Sequence, residues 1–238
     1  MYVIYISGRT AGDMNKQTIQ QDMAKIKNII FDFGGVIYDV CYENVAKTFA
    51  KYGIGELGDF YSRTFQTPEI DQLEVGEITA QEFRDYVKAA TGNKLDDAAV
   101  DDIFNSMLLG LPRAHVELLL ALKSKYRLFL FSNTNEIHCD YFRKQAEEMF
   151  SFDVFDACFD ACYFSHIMHK RKPHVEGFLQ ILQEQGLVPS ETLFVDDIAA
   201  NLEGAARAGI RTYHLHKEDV SAMFDENLCL VPKVKRWR

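Results

Sequence analysis

Hydrophobic residues fall into short continuous runs along this chain, and amphipathic segments separate the runs. Four runs are rich in residues that favour β-strands, at 28–33, 128–132, 162–165 and 192–195, and a fifth candidate lies at 211–215. Nearly continuous apolar runs of this length are typical of strands that are buried on both faces. Their alternation with helical segments therefore predicts an α/β fold, in which helices cover both sides of a parallel sheet.

Two of the intervening segments carry clear helix signals. Pro112 opens a helical pattern over 112–123, where a proline suits the first turn. In a second pattern, apolar residues from Ile198 to Ala206 share one face, and Gly209 marks the end of the helix. Both helices are expected to pack against the sheet.

The stretch at 43–111 breaks the alternation, because helix patterns follow one another there without a convincing strand. Thr79 and Glu82 have the spacing of a capping box, which predicts a helix start. The stretch therefore predicts an inserted helical subdomain. Four of its aromatic residues line either a pocket or the core of the subdomain, and we favour the core. These four are Phe60, Tyr61, Phe65 and Phe83.

Composition narrows the possible partners. With 238 residues, of which 47% are hydrophobic, the chain can form one large core or a core domain with a smaller second one. The 35 acidic and 26 basic residues give a formal charge of -9, which disfavours general binding to nucleic acid or to a membrane. The basic C-terminal run is interpreted as a solvated tail. It comprises Lys233, Lys235, Arg236 and Arg238.

The cysteines and the first residues predict a cytoplasmic protein. An odd number of cysteines without a CxxC pair argues against a disulfide framework and against structural zinc. The first seven residues are apolar but too short for a signal segment or a membrane span. Met14 and Met23 are further possible starting residues. The cysteines, interpreted as reduced thiols, are Cys41, Cys139, Cys158, Cys162 and Cys229.

Polar residues with reactive side chains stand where three of the predicted strands end. Ligands bind at the carboxyl ends of the strands in open parallel sheets, so these residues are expected to meet at one edge. A lysine followed by a proline, placed to open a helix, lies between two of the strands. The candidates are Asp32, Ser132, Asn133, Lys172, Asp196 and Asp197.

This set contains the groups that phosphoryl transfer requires, namely a nucleophile, a divalent cation and donors for the phosphate oxygens. Asp32 is a candidate nucleophile, Asp196 and Asp197 are candidate metal ligands, and Ser132 and Lys172 are candidate phosphate donors. Each residue alone also has a structural explanation, because an aspartate before glycines caps turns and acidic pairs complement helix dipoles. The combination, each part after its own strand, favours a site.

These stretches resemble the four motifs of the haloacid dehalogenase superfamily, in order and in strand context, from about residue 27 to 216. Their details are most similar to the sugar-1-phosphate phosphatases and to the phosphatase domains related to the N-terminal half of epoxide hydrolases. The resemblance implies a three-layer Rossmann-like core at 27–42 and 112–238. It makes the insertion at 43–111 an all-helical type 1 cap, which closes over the substrate, and leaves 1–26 as an N-terminal extension.

The resemblance also implies roles for single residues. The nucleophile matches Asp32 and the catalytic lysine matches Lys172, which with Ser132 and Asn133 binds phosphate. The expected cofactor is Mg²⁺. Its ligands in the family match Asp32, the main-chain carbonyl of Gly34, Asp196 and Asp197.

The chain departs from the family pattern at two positions. Gly34 replaces the aspartate that usually protonates the leaving group, and a general acid typically contributes about 100-fold to 10,000-fold to the rate. Asp39 and Glu43 are candidates to replace that acid. His169 occupies the place of a usual glycine, and we expect no role for this loop histidine.

The sequence predicts a magnesium-dependent phosphatase that acts on a small phosphorylated metabolite, with a sugar phosphate favoured. One alternative is a metal-independent 2-haloacid dehalogenase, although the adjacent Asp196 and Asp197 indicate a cation beside the nucleophile. Another alternative is a catalytically silent protein that binds a phosphorylated ligand. The glycine at position 34, in place of the usual acid, keeps this alternative open. The substrate and the oligomeric state are not determined by the sequence.

Overall fold

The computed structural model describes residues 23–54 and 67–231. The predicted cap aromatic residues Phe60, Tyr61 and Phe65 and the basic tail beyond 231 lie outside the described residues. So does most of the predicted N-terminal extension. Its described end belongs to the core, because Met23 and Ile26 are buried in the main hydrophobic cluster.

The centre of the molecule is a parallel sheet of five strands in the order β5-β4-β1-β6-β7. The sequence predicted all five strands to within two residues at each end. The central strand pairs in register on both sides, with Phe31 opposite Leu130 and Val195. The strands are β1 (Asn28–Phe31), β4 (Arg127–Ser132), β5 (Ala161–Phe164), β6 (Thr192–Asp196) and β7 (Arg211–His214).

Side chains alternate between the two faces of the sheet, and each face has its own buried cluster. Ile29 and Phe31 enter one cluster, while Ile30 packs with Phe129 and Phe194 in the other. The predicted three-layer α/β architecture is confirmed. The described part of the core contains the α-helices α5 (Arg113–Leu122), α6 (Glu136–Met149), α7 (Val154–Cys158), α8 (Ser165–Met168), α9 (Val175–Gln185) and α10 (Ala199–Arg207).

The insertion between β1 and α5 forms a helical cap with a hydrophobic cluster of its own. The predicted capping box is present, since the Thr79 hydroxyl accepts a hydrogen bond from the Glu82 N–H and the Glu82 carboxylate accepts one from the Thr79 N–H. Phe83 is fully buried in the cap cluster, as predicted. The described cap helices are α1 (Glu43–Lys51), α2 (Pro68–Glu74), α3 (Ala80–Ala90) and α4 (Asp97–Asn105).

The prediction that 43–111 contains no strand is wrong at its end. β3 (Leu108–Gly110) pairs antiparallel with β2 (Asp39–Val40), and this small ribbon joins the cap to the core. Three residues are too few to show an alternating pattern, so no strand is predicted there. Pro112 lies at the N-cap of α5, one position before the predicted first turn. No helix among the described residues is long and apolar enough to cross a membrane.

Candidate active site

The carboxyl ends of β1, β4 and β6 meet at one edge of the sheet, where a cavity of about 710 Å³ lies between the core and the cap. Its core side is lined by Asp32, Gly34, Ser132, Asn133 and Lys172. The fold thus brings these five predicted residues together, although up to 140 residues separate them along the chain. Parallel strands achieve this because all of their carboxyl ends point to the same edge.

Asp32 follows β1 directly and is held by its neighbours. Its N–H donates to the Val195 carbonyl at 2.9 Å, which extends the sheet by one residue. Its Oδ1 accepts a hydrogen bond from the Phe33 N–H at 2.7 Å. The residue is only 6% exposed. The carboxylate therefore has a single, preorganised orientation at the end of the strand.

Lys172 places a buried ammonium group between two carboxylates. Its Nζ lies 2.6 Å from Asp32 Oδ1 and 2.8 Å from Asp196 Oδ2, and the residue is 1% exposed. The Asn133 side chain holds the lysine's main chain from both sides, because its Oδ1 accepts from the Lys172 N–H at 2.9 Å and its Nδ2 donates to the Lys172 carbonyl at 3.0 Å. A role of Asn133 in phosphate binding stays a prediction.

The buried charges of the site shift the proton affinities of Asp32 and Lys172. Burial, followed by the negative charge of Asp196, raises the pKa of Asp32 well above its ordinary value, although Lys172 opposes this. Burial disfavours the ammonium of Lys172, but the carboxylates of Asp196 and Asp32 outweigh it and raise the lysine pKa. The site therefore concentrates more negative charge than its one buried lysine neutralises.

The acidic cluster fits a divalent cation. Asp32, Asp196 and Asp197 each offer a carboxylate oxygen, and these atoms lie within 4.8 Å of one another. Oxygen donors of this kind suit Mg²⁺. Gly35 makes room for the cluster, because a Cβ at this residue would lie 2.4 Å from Asp197 Oδ2. A metal-binding role of the Gly34 carbonyl stays a prediction.

The sequence interpretation missed two residues that support the site. The Asn201 Nδ2 donates to Asp196 Oδ2 at 3.0 Å, so it shares this oxygen with Lys172. The fully buried Ser165 hydroxyl donates to the Thr134 carbonyl and accepts from its N–H, each at 2.9 Å, which fixes the turn after β4. For Asn201, the only sequence signal of a role in the site was its position four residues after Asp197. For Ser165, the sequence contained no such signal.

The structure places neither candidate replacement for the missing acid in the cavity. Asp39 lies exposed on β2, and Glu43 accepts a hydrogen bond from the Cys41 thiol at 3.2 Å on the surface. Gly34 itself lines the cavity. Within the described part of the chain, positions 34, 39 and 43 therefore supply no carboxyl group to the cavity.

The chain is similar in sequence to proteins named as phosphatases and in structure to a HAD family enzyme. A family model described as a haloacid dehalogenase-like hydrolase matches residues 26–209. A D-ribitol-5-phosphate phosphatase from Bacteroides thetaiotaomicron is 29% identical over 188 residues, which cover 79% of this chain and 91% of that protein. A phosphorylated carbohydrates phosphatase from Thermotoga maritima is 24% identical over 185 residues, which cover 76% and 81%.

A solved structure of a HAD family enzyme from Bacteroides thetaiotaomicron, a mutant in complex with magnesium and inorganic phosphate, superposes with a TM-score of 0.80. Its sequence is 34% identical, and the match covers 84% of this chain and all of that chain. The similarity thus includes both the core and the cap insertion.

Proposed function

The chain belongs to the haloacid dehalogenase-like hydrolases, and on that premise we propose that it is a magnesium-dependent phosphatase of small phosphorylated carbohydrates. One observation carries the proposal: Asp32 is buried at the end of β1, with Lys172 Nζ at 2.6 Å and with carboxylate oxygens of Asp196 and Asp197 within 4.8 Å of its own. The three carboxylates favour a bound cation, because without one their charges repel each other.

In the proposed reaction, a carboxylate oxygen of Asp32 attacks phosphorus. The bond between phosphorus and the leaving oxygen breaks, the leaving oxygen takes up a proton from water, and the alcohol departs from an aspartyl phosphate. A second water then attacks the phosphorus and releases a proton to solvent, the bond to Asp32 breaks to restore the carboxylate, and inorganic phosphate leaves. The fixed orientation of Asp32 supplies the alignment that this displacement needs.

The surrounding residues balance charge during the transfer. We assign Lys172 to the phosphate oxygens and to holding Asp32, and Ser132 to a hydroxyl contact with phosphate, since both line the cavity beside the nucleophile. Mg²⁺, held by Asp32, Asp196 and Asp197, would neutralise part of the phosphate charge. The Gly34 carbonyl is assigned to the same ion.

Two observations support a carbohydrate as the leaving group. The relatives are named as phosphatases of ribitol 5-phosphate and of phosphorylated carbohydrates. The cap side of the cavity presents Gln72 and Glu77, whose polar groups suit hydroxyl groups. With glycine at position 34, the site favours leaving groups that depart readily, such as the anomeric oxygen of a sugar 1-phosphate.

We infer a cytoplasmic location from the cysteines. All five are free thiols in the structure, with none in a disulfide. Burial raises the pKa of the Cys158 thiol to about 11 and of the Cys162 thiol to about 12, so both stay protonated and unreactive at neutral pH.

The test is phosphate release from ribitol 5-phosphate, sugar 1-phosphates, sugar 6-phosphates and an aryl phosphate, with Mg²⁺ or with a chelator. We expect Mg²⁺-dependent turnover that Asp32→Asn abolishes, because the amide is not a nucleophile. Asp39→Asn is the matched control, since this exposed aspartate lies outside the cavity and its variant should behave like the wild type. Halide release from 2-haloacids without phosphate release would identify the protein as a dehalogenase instead. If Asp32→Asn released phosphate as fast as the wild type, Asp32 would not be the nucleophile.

A further inference from the structure

The end of cap helix α2 is docked against the core segment that leads to Lys172. The Arg171 guanidinium pairs through Nη1 with Asp71 Oδ1 and through Nη2 with Glu74 Oε2, the latter at 3.0 Å. The two acidic residues are three positions apart and therefore share one face of the helix. The Arg171 side chain is 20% exposed and that of Glu74 only 4%, so this ion pair is largely shielded from solvent.

His169 makes a second contact to the same end of the cap. Its Nδ1 lies 2.8 Å from the Val75 carbonyl, and because a carbonyl only accepts, Nδ1 carries the hydrogen. His169 has a φ of 52°, in the left-handed region that non-glycine residues rarely adopt. The side chain thus reaches the cap from a backbone conformation that would suit glycine better, which indicates that the contact compensates for the strain.

Gly76 lets the two backbones approach closely at this point. Its φ is 68°, and a Cβ here would lie 2.4 Å from the His166 carbonyl oxygen. The cap and the core segment therefore fit together through a charged pair, a hydrogen bond and a close backbone contact. These three contacts involve consecutive stretches on both sides, which makes them a compact junction.

We propose that His169 and Arg171 are positioning residues that clasp the cap shut over the active-site cavity. The clasp consists of His169 and Arg171 on the core and of Asp71, Glu74 and the Val75 carbonyl on the cap. Its role in catalysis rests on the proposed phosphatase function. The clasp replaces our expectation that His169 has no role.

The location of the clasp connects it to the chemistry. Its cap residues and Arg171 line the cavity, and Arg171 directly precedes Lys172, whose main chain Asn133 holds in place. A closed clasp keeps the wall of the cavity against the leaving group, so it matters for substrates large enough to touch that wall. Product release requires the clasp to open, and an ionic contact allows this without unpacking either hydrophobic core.

The kinetic test is a double-mutant cycle of Arg171→Met and Glu74→Gln on two substrates. Ribitol 5-phosphate is large enough to need the cap, whereas acetyl phosphate has an acyl group of two carbons. We expect each single variant to lower kcat/KM for ribitol 5-phosphate on the order of tenfold, and the double variant to lose little more, because both remove the same contact. Turnover of acetyl phosphate should stay near wild type. Equal losses on both substrates, or fully additive effects, would overturn the clasp.

His169→Gly separates the clasp from a purely structural loop role. Glycine suits the φ of 52° at this position, so the variant should be at least as stable as the wild type. It lacks the imidazole, however, so we expect kcat/KM for ribitol 5-phosphate to fall while acetyl phosphate turnover is retained. Arg171→Lys, which keeps the charge, should retain more activity than Arg171→Met. Wild-type kinetics in His169→Gly would remove the histidine from the clasp.

Hydrogen exchange tests the clasp without using activity. In the intact protein, we expect the amides at 73–77 to exchange faster in Arg171→Met and in His169→Gly than in the wild type, while those of β1 do not change. Unchanged exchange at 73–77 in both variants would reject the clasp. If the wild-type protein hydrolyses no phosphate ester, the proposed function fails, and the exchange result still decides whether the clasp exists.

Discussion

Replacing Gly35 by alanine tests the acidic cluster by steric displacement alone. The new methyl group would lie 2.4 Å from Asp197 Oδ2 and 2.9 Å from its Cγ. To reach an ordinary contact distance of 3.4 Å, the carboxylate has to withdraw by about 1 Å. No charge and no hydrogen-bonding group is added or removed, so any effect on the metal site is one of position.

The effect of Gly35→Ala has two components, backbone strain and displacement of the Asp197 carboxylate, and a control variant separates them. An alanine in the left-handed conformation costs about 1–2 kcal/mol of stability, and this applies to Gly35 at a φ of 81°. Gly186 has a φ of 61° and no neighbour within 4 Å of an added Cβ, so Gly186→Ala carries the strain without the clash. A misplacement of about 1 Å in a catalytic site can lower the rate about 100-fold, which we expect only for Gly35→Ala.

The assays are urea unfolding, calorimetric titration with Mg²⁺, and phosphate release at saturating Mg²⁺. Both variants should lose stability to a similar extent. Gly35→Ala should in addition bind Mg²⁺ more weakly and turn over about 100-fold more slowly, whereas Gly186→Ala should retain both properties. Equal Mg²⁺ affinity and equal turnover in the two variants would show that the position of Asp197 does not determine metal binding.

Three further predictions concern titration and the missing acid. Because burial and then Asp196 raise the pKa of Asp32, the contribution of this residue to the stability of the metal-free protein is fully present below the unfolded pKa of about 4 and is lost as pH rises through the folded pKa. Urea unfolding with a chelator should show that Asp32→Asn lacks this fall, and an identical pH profile would contradict the assigned shift. The hydrogen bond from His115 lowers the pKa of Asp219 to about 2, so its contribution is present above about pH 4 and is lost as pH falls towards 2. Asp219→Asn should cost only about 0.5–1 kcal/mol at neutral pH, because the side chain is 57% exposed, and should remove that acid-side loss in urea unfolding. Gly34→Asp is sterically feasible, since a Cβ there first meets Val40 at 3.4 Å. This variant should accelerate alkyl phosphate hydrolysis by up to about 100-fold but leave hydrolysis of an aryl phosphate unaffected. An unchanged ratio of the two rates would argue against an acid role at this position.

Local patterns sufficed for most of the fold. Each core strand is an apolar run with polar neighbours, so its limits were visible in the sequence to within two residues. β3 was missed because its three residues are stabilised by pairing with β2, a partner more than 60 residues away. The contribution of Met23 to the core was missed for the same reason, since a single apolar residue in a polar stretch carries no period.

The candidate site was only partly visible in the sequence. Asp32, Lys172 and Asp196 were found because each follows a strand or opens a helix in a recognisable motif. Ser165 and the contact partners of Asn201 were not found, because their roles depend on hydrogen bonds across the fold. Polar residues of this kind have no periodicity, and only their neighbours in space distinguish them from surface residues.

The sequence by itself determined which strands form, where the helical insertion lies and which residues stand at the carboxyl end of the sheet. These features follow from hydrophobic period and chain order, which are local properties. Only the tertiary structure decided that Lys172 lies between Asp32 and Asp196 and that Arg171 and His169 hold the cap. Such contacts join residues far apart in the chain, and their energies depend on distances and burial that no local pattern specifies.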